Sequence, residues 1–402
     1  MESVIFAVHR IPYPPNKGDK IRSFQMLKAL SKRFRVKLFC YVDDYRDLEY
    51  TDRLSEYTDE VYFELLPRWK VFLRAVKAFI LHQSITEAVY FSNSMMSAIN
   101  HSIETNNIRS VIAFSSSMGQ YLPYGSNDRF QTFIDYVDVD SLKWRDYGKR
   151  ASIPMRWVYK REAKLLGDLE NTLHKRATIG SFVTDAEREL FYSELGIRPQ
   201  SLKVIGNGVD INFFDPEGNY PSPYKALGIS DVDAICFVGA MDYYANEDAV
   251  IWFMKDVLPL ILKKRPECCF LVVGRDPSDR LRRLAISTPG VLVTGAVADV
   301  RPYLKYCALV VAPLRIARGM QNKVLEALAM NKQVLATTVA AEGVDIDGDA
   351  NCLHSCASSG EMAEAALLYL SQGTVGVEAR KQVVKHYAWA PQMEKFLDLV
   401  KC

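Results

Sequence analysis

Apolar residues along this chain recur in two rhythms. Short runs at residues 4–8, 36–42, 110–114, 131–136 and 179–183, with another at 59–65, predict strands, several of them apolar on both faces as in a parallel sheet. Between them the spacing is helical: Phe24, Leu27, Ala29 and Leu30; residues 66–83 through Trp69, Val71, Phe72, Ala75, Val76, Phe79 and Ile80; and a long charged helix over 155–177. Thr184 with Glu187 three residues on predicts a helix start. Residues 203–210 read as a strand running into a turn, and 214–226, with three prolines, as linker. A second alternating set follows: strands at 235–239, 270–274, 291–295, 309–312 and 333–336, a helix over 320–330, and a closing amphipathic helix through Met393, Phe396 and Leu397. Strand–helix alternation run twice predicts an α/β chain of two Rossmann-like domains facing a cleft. The expected boundaries are 1–212, a linker 213–228, a second domain 229–380, and a final helix 381–402 that crosses back to the first.

One unit of this pattern carries charge where a ligand would sit. The strand at 309–312 leads into a loop with Pro313, Arg315, Arg318 and Gly319, then a helix with Val324, Leu325, Leu328 and Ala329 on one side, then the strand at 333–336. A right-handed crossover is expected for such a unit. Ligands of open parallel sheets lie beyond the carboxyl ends of the strands, and a helix start there, at Gly319, Met320 and Gln321, offers N–H groups to an anion. Lys323 falls in the first turn, where a cation is unfavourable to the bare helix dipole, so a bound anion would explain it. Glu326 lies one turn on, on the face of Asn322 and Lys323, and a carboxylate there can accept hydrogen bonds from a pair of sugar hydroxyls. The competing reading is a surface loop with a Lys323–Glu326 ion pair worth about 0.2–0.5 kcal/mol.

The stretch resembles the donor motif of retaining glycosyltransferases of GT-B fold, family 4, in which a Glu-x7-Glu pattern ends at a Leu-Glu-Ala-(Met/Leu)-Ala helix. Leu325-Glu326-Ala327-Leu328-Ala329 matches its end, and Arg318 stands where the first glutamate falls. A similar basic loop, and the phrase Asp138-Val139-Asp140-Ser141 with Lys143-Trp144, resemble a subgroup of sugar transferases associated with bacterial exopolysaccharide and exosortase clusters. Asn207-Gly208-Val209-Asp210 with Phe214 and Pro216 resembles the family's domain junction. The resemblance implies a hexosyltransferase that moves sugar from a nucleotide-diphosphate sugar, with no further cofactor and no metal, to a glycan or lipid-linked acceptor. The donor would lie in the carboxyl-terminal domain against Gly239, Gly319, Met320, Gln321 and Glu326, with Arg315 and Lys323 stabilising the leaving diphosphate. Relatives often carry an arginine and a lysine after the strand at 235–239; neither occurs here up to Asn246. The loop at 299–303 falls where relatives often contact the nucleobase, and residues 339–343 would end the next strand, with Glu342 facing the cleft. The loop after the first strand, with Lys17, Gly18, Asp19 and Arg22, would face donor phosphates and acceptor. Asp138 would orient an acceptor hydroxyl or take its proton, and Asp140 would cap the following helix. The alternatives are an epimerase of the same fold and a non-catalytic nucleotide-sugar-binding subunit.

Composition narrows the partners. The 402 residues carry a formal net charge of +2, which does not suggest a nucleic-acid protein. Eight cysteines form no paired CxxC motif, and Cys352 to Cys356 reads as a loop rather than a zinc site. The amino-terminus lacks signal-peptide character and no apolar run reaches about 18 residues, so a cytoplasmic protein is expected. Residues 66–83 carry Arg68, Lys70, Arg74 and Lys77 and no acid. Such a helix suits peripheral contact with the anionic inner face of the cytoplasmic membrane; packing on the sheet with its lysines outward is the other reading.

Overall fold

The apolar runs become two parallel sheets. In a computed structural model that describes residues 1–400 except 124–128, 197, 230–232, 318, 347–351 and 373–378, contacts divide the chain into two compact units. One comprises Met1–Gly206 with Ala390–Cys402, the other Asn207–Trp389.

The first unit holds β1 (Ser3–Val8), β2 (Arg35–Val42), β3 (Glu60–Leu65), β4 (Ser110–Phe114), β5 (Gln131–Val137), β6 (Ile179–Phe182) and β7 (Leu202–Val204), in spatial order β3-β2-β1-β4-β5-β6-β7. Every pairing is parallel. The order reverses between β1 and β4, both buried from end to end apart from Ser3, which is why they read as unbroken apolar runs. Ile5, Ala7, Val111, Ala113 and Ile134 join Ile99 of the Asn93–Asn106 helix and Leu173 of the Met155–Arg176 helix in one core. The last helix, Trp389–Leu399, adds Phe396 against Phe133, ring centroids 5.2 Å apart.

The second unit holds β8 (Ala234–Val238), β9 (Cys269–Val273), β10 (Val291–Gly295), β11 (Leu309–Ala312), β12 (Val334–Thr337) and β13 (Leu353–Cys356), in the order β10-β9-β8-β11-β12-β13, again all parallel. Its reversal lies between β8 and β11. Both sheets thus follow the strand order of dinucleotide-binding folds, whose ligands sit at the carboxyl ends beside the reversal.

Four local expectations are corrected. The helix assigned to begin near Phe24 starts at Gly18, with Lys17 extended before it. Lys20 and Arg22 therefore lie on its inward face, where Asp47 and Asp135 neutralise them, and not in a solvated loop. Residues 353–356 form β13 rather than a loop. The strand at 333–336 ends at Thr337, and a short helix, Thr338–Ala341, follows and leaves Glu342 exposed. Val139, not Asp140, is the cap of the Asp140–Arg150 helix, and Asp140 is its first-turn acid, where the helix dipole favours it.

Candidate functional site

In the carboxyl-terminal unit, the end of β8 and the end of β11 lie side by side. Backbone crowding shapes the first. A Cβ on Gly274, just after β9, would overlap the Gly239 carbonyl oxygen, and one on Gly239 would press on the Asn246 amide at 2.9 Å. Gly239 N–H donates to Val273 O at 3.0 Å, so the turn after β8 is fixed against β9. That turn feeds the Tyr244–Trp252 helix, whose Asn246 donates to Ala240 O at 2.8 Å.

Lys323 reaches this turn from the other side. It lies in the first turn of the Asn322–Ala329 helix after β11, and its Nζ donates to Asn246 Oδ1 at 2.5 Å. The ammonium also sits 4.8 Å from the centre of the Phe237 ring. Burial pushes Lys323 down to about 8, with Glu326 opposing the shift, and pushes Glu326 up to about 7, with Lys323 opposing it. Both side chains keep part of their surface open to solvent. The Gln321 side chain makes no capping hydrogen bond to this helix, and a helix start of this kind attracts anions. Asn322 Oδ1 accepts from Asn207 at 3.1 Å. Gly319 takes φ +60°, a left-handed turn that suits glycine. Arg315 makes a two-pronged ion pair with Asp248, Nε to Oδ2 at 2.9 Å. Arg318 lies outside the described residues.

The amino-terminal unit has its own polar constellation at the ends of β1 and β5. His9 Nε2 lies 3.1 Å from Asp19 Oδ2, and the His9 ring stacks on Phe114 at 5.7 Å. Arg10 donates to Asp19 at 2.8 Å and pairs with Asp43 at 2.9 Å. These partners hold the Asp19 carboxyl far below the usual range despite burial. Asp138 and Asp140, just past β5, are raised by burial, with Lys143 opposing. Arg22 is only 1% exposed and grips Asp135 at 2.6 Å and the carbonyls of Ile205 and Gly206 at 2.9 and 3.1 Å. That corrects its assignment to a ligand-facing loop: its donors are turned into the protein.

Residues 233–372 match the family model described as glycosyl transferases group 1. The matched segment runs from just before β8 to the end of the Ser359–Gln372 helix, within the second unit. No curated protein matches the chain. Among solved structures, sucrose-phosphate synthase from Thermosynechococcus elongatus is similar over 99% of this chain and 98% of its own, with TM-score 0.71 and 18% identity. Anabaena HepE in complex with UDP and glucose gives TM-score 0.69 and 14% identity over 99% of each chain. WaaG, a glycosyltransferase involved in lipopolysaccharide biosynthesis, gives 0.65 and 16% over 99% of each. These likenesses give the chain the GT-B glycosyltransferase fold.

Within the matched segment, Gly239, Lys323 and Glu326 come together at the sheet reversal, and the loop with Gly319, Met320 and Gln321 leads into the same helix. Arg315 stands with Asp248 instead. Asn246 was missed because a lone asparagine in an Asp-Tyr-Tyr-Ala-Asn loop carries no ligand signal; only the fold sets it against Lys323. His9, directly after the first strand, was not singled out either; its contact with Asp19 is a product of the fold. Among the described residues, no group of three or more His, Cys, Asp or Glu side chains is placed to hold a metal ion.

Proposed function

We propose that this chain is a retaining glycosyltransferase that moves a hexosyl group from a nucleotide-diphosphate sugar to a glycan or lipid-linked acceptor in bacterial exopolysaccharide assembly. The observation that carries the reading is the Lys323–Asn246 contact at the sheet reversal of the segment that matches the group 1 model, with Glu326 one turn away. A cation there and an uncapped helix start offer two attractions for the departing diphosphate. Asn246 fixes the Lys323 ammonium before the donor arrives, so little reorganisation is needed as negative charge develops. Glu326 is the acceptor for the ribose hydroxyls of the donor. Retention follows from attack on the face the diphosphate leaves, so no protein nucleophile is required. Asp138, its carboxyl raised by burial, is the group that takes up the acceptor proton.

Because HepE is described with UDP and glucose, UDP-sugars are the first donors to try, beside GDP-, ADP- and dTDP-sugars. Calorimetry with each, repeated on Lys323→Ala and Glu326→Ala, should find one donor whose affinity both substitutions lower. Failure of every donor to bind at about millimolar concentration removes the enzyme reading. A second reading has one observation behind it: Asp248 already neutralises Arg315, as suits a nucleotide-sugar-binding subunit that performs no transfer. Product analysis separates the two, since binding without any transferred or epimerised sugar supports the subunit.

A further inference from the structure

The Arg68–Ile80 helix has two apolar faces, and the core uses only one. Val71, Ala75 and Ala78 pack inward. On the other side, at about 100° per residue, positions 69, 72, 73, 76 and 80 fall in a single stripe. These are Trp69, Phe72, Leu73, Val76 and Ile80, and they are 41–67% exposed. Of the 24 large apolar side chains exposed among the described residues, eight lie between 63 and 81 and three more between 153 and 157. The second group adjoins the first, because Trp157 packs its edge on Phe79 at 5.5 Å while itself remaining 60% exposed. Arg161 donates to the Ala78, Phe79 and Gln83 carbonyls and ties the two helices together, so the stripe is mounted on the unit and does not dangle from it.

Charge identifies what covers this face. Arg68 borders the stripe on one side, and Lys70 and Lys77 on the other, and the helix contains no acidic residue. A groove beside Trp157 is lined in part by Lys160, Arg161 and Lys164 against one acid, Asp168. A protein partner would normally meet mixed charge around an apolar centre. An apolar ridge with cations on both flanks and aromatic rings at its borders instead matches the layering of a bilayer surface, hydrocarbon below and anionic headgroups around it. No helix among the described residues is long and apolar enough to cross a membrane.

We propose that the Arg68–Ile80 helix, with Trp157 beside it, docks the amino-terminal unit on an anionic phospholipid bilayer, apolar stripe inserted and cations on the headgroups. This docking stands whether or not the chain transfers sugar, and its test uses no activity. The full chain is sedimented with vesicles of phosphatidylcholine alone and of phosphatidylcholine mixed with phosphatidylglycerol. Binding to the mixed vesicles at least about tenfold tighter than to phosphatidylcholine, and weakened by salt, is expected. The double variant Trp69→Ser, Phe72→Ser should lose about tenfold or more in binding, and Lys70→Glu, Lys77→Glu a similar amount at low salt only. Trp69, Phe72 and Lys77 are exposed and Lys70 is half-buried, so circular dichroism should show both variants folded; should one misfold, the other still decides. Quenching of Trp69 fluorescence by brominated lipid, judged against Trp69→Phe, reports insertion directly. No binding to the anionic vesicles, or equal binding by the Trp69→Ser, Phe72→Ser variant, overturns the proposal. So does a self-associated wild type that this variant turns into a monomer, which would give the face to a second copy of the chain.

Discussion

Lys323 and Glu326 carry opposite charges that burial works against, and the pH window of the site follows. The Lys323 ammonium, pushed down to about 8, is lost as pH rises through that value, and with it the attraction for a diphosphate. The Glu326 carboxylate, pushed up to about 7, is lost as pH falls through that value, and with it the acceptor for ribose hydroxyls. Donor affinity measured by calorimetry should therefore peak between the two. Lys323→Arg should remove the alkaline limb and Glu326→Gln the acidic one. Lys323→Ala should weaken binding by about 1.5–3 kcal/mol, the range of a charge-assisted hydrogen bond. Glu170 gives a stability prediction in the other unit. It accepts from the Ser141 amide at 3.1 Å and hydroxyl at 2.5 Å, yet burial, joined by repulsion from Asp140, raises it to about 8 from an ordinary 4.5. A carboxyl raised by folding stabilises fully below its unfolded value, and that contribution is lost as pH rises through the folded one. Urea midpoints should accordingly fall for the wild type between about pH 4.5 and 8, and fall less for Glu170→Gln.

At the level of elements, the buried pair of Arg22 and Asp135 joins the first helix to β5 and to the chain at Ile205 and Gly206. Asp135 is fully buried, and Ser181 Oγ also donates to it at 3.1 Å. Asp135→Ala leaves a guanidinium in the interior without its counter-charge, and should cost about 3–5 kcal/mol in urea unfolding. Gly274→Ala should also destabilise and should weaken donor binding, because the added methyl displaces the Gly239 turn beneath Asn246. The same elements show what the sequence reveals and conceals. β1, β4, β8 and β11 were legible because each is an apolar run buried on both faces. β13 was not: Leu353-His354-Ser355-Cys356 lies at the end of the sheet and is only partly covered, so its composition resembles a loop. The start of the first helix was hidden for a different reason. Lys20 and Arg22 count as solvent-facing in any hydrophobic pattern, and only partners 27 and 113 residues away turn that face inward. Glu326 was singled out by its local motif alone, whereas the settings of Asn246 and His9 depend on which strand ends the fold brings together.

On the scale of the molecule, the amino-terminal unit is assembled from two stretches of sequence, with the whole carboxyl-terminal unit between them. The returning segment is closely fitted. Phe396 is fully buried against Phe133, Gln392 accepts from Gly206 N–H at 3.0 Å, and Gln131 donates to Leu399 O at 3.1 Å. Phe396→Ala should cost about 3–5 kcal/mol, and hydrogen exchange should locate the loss in β5 and its neighbours while β8 and β11 keep their protection. The return of the chain also sets an order of synthesis. Domains of a growing chain generally fold as units, the first made before the last. Here the first-made sheet lacks the side chain that covers Phe133 until the ribosome has delivered residue 396. Through most of translation that patch of β5 stays open, so the part of this protein made first is the part completed last.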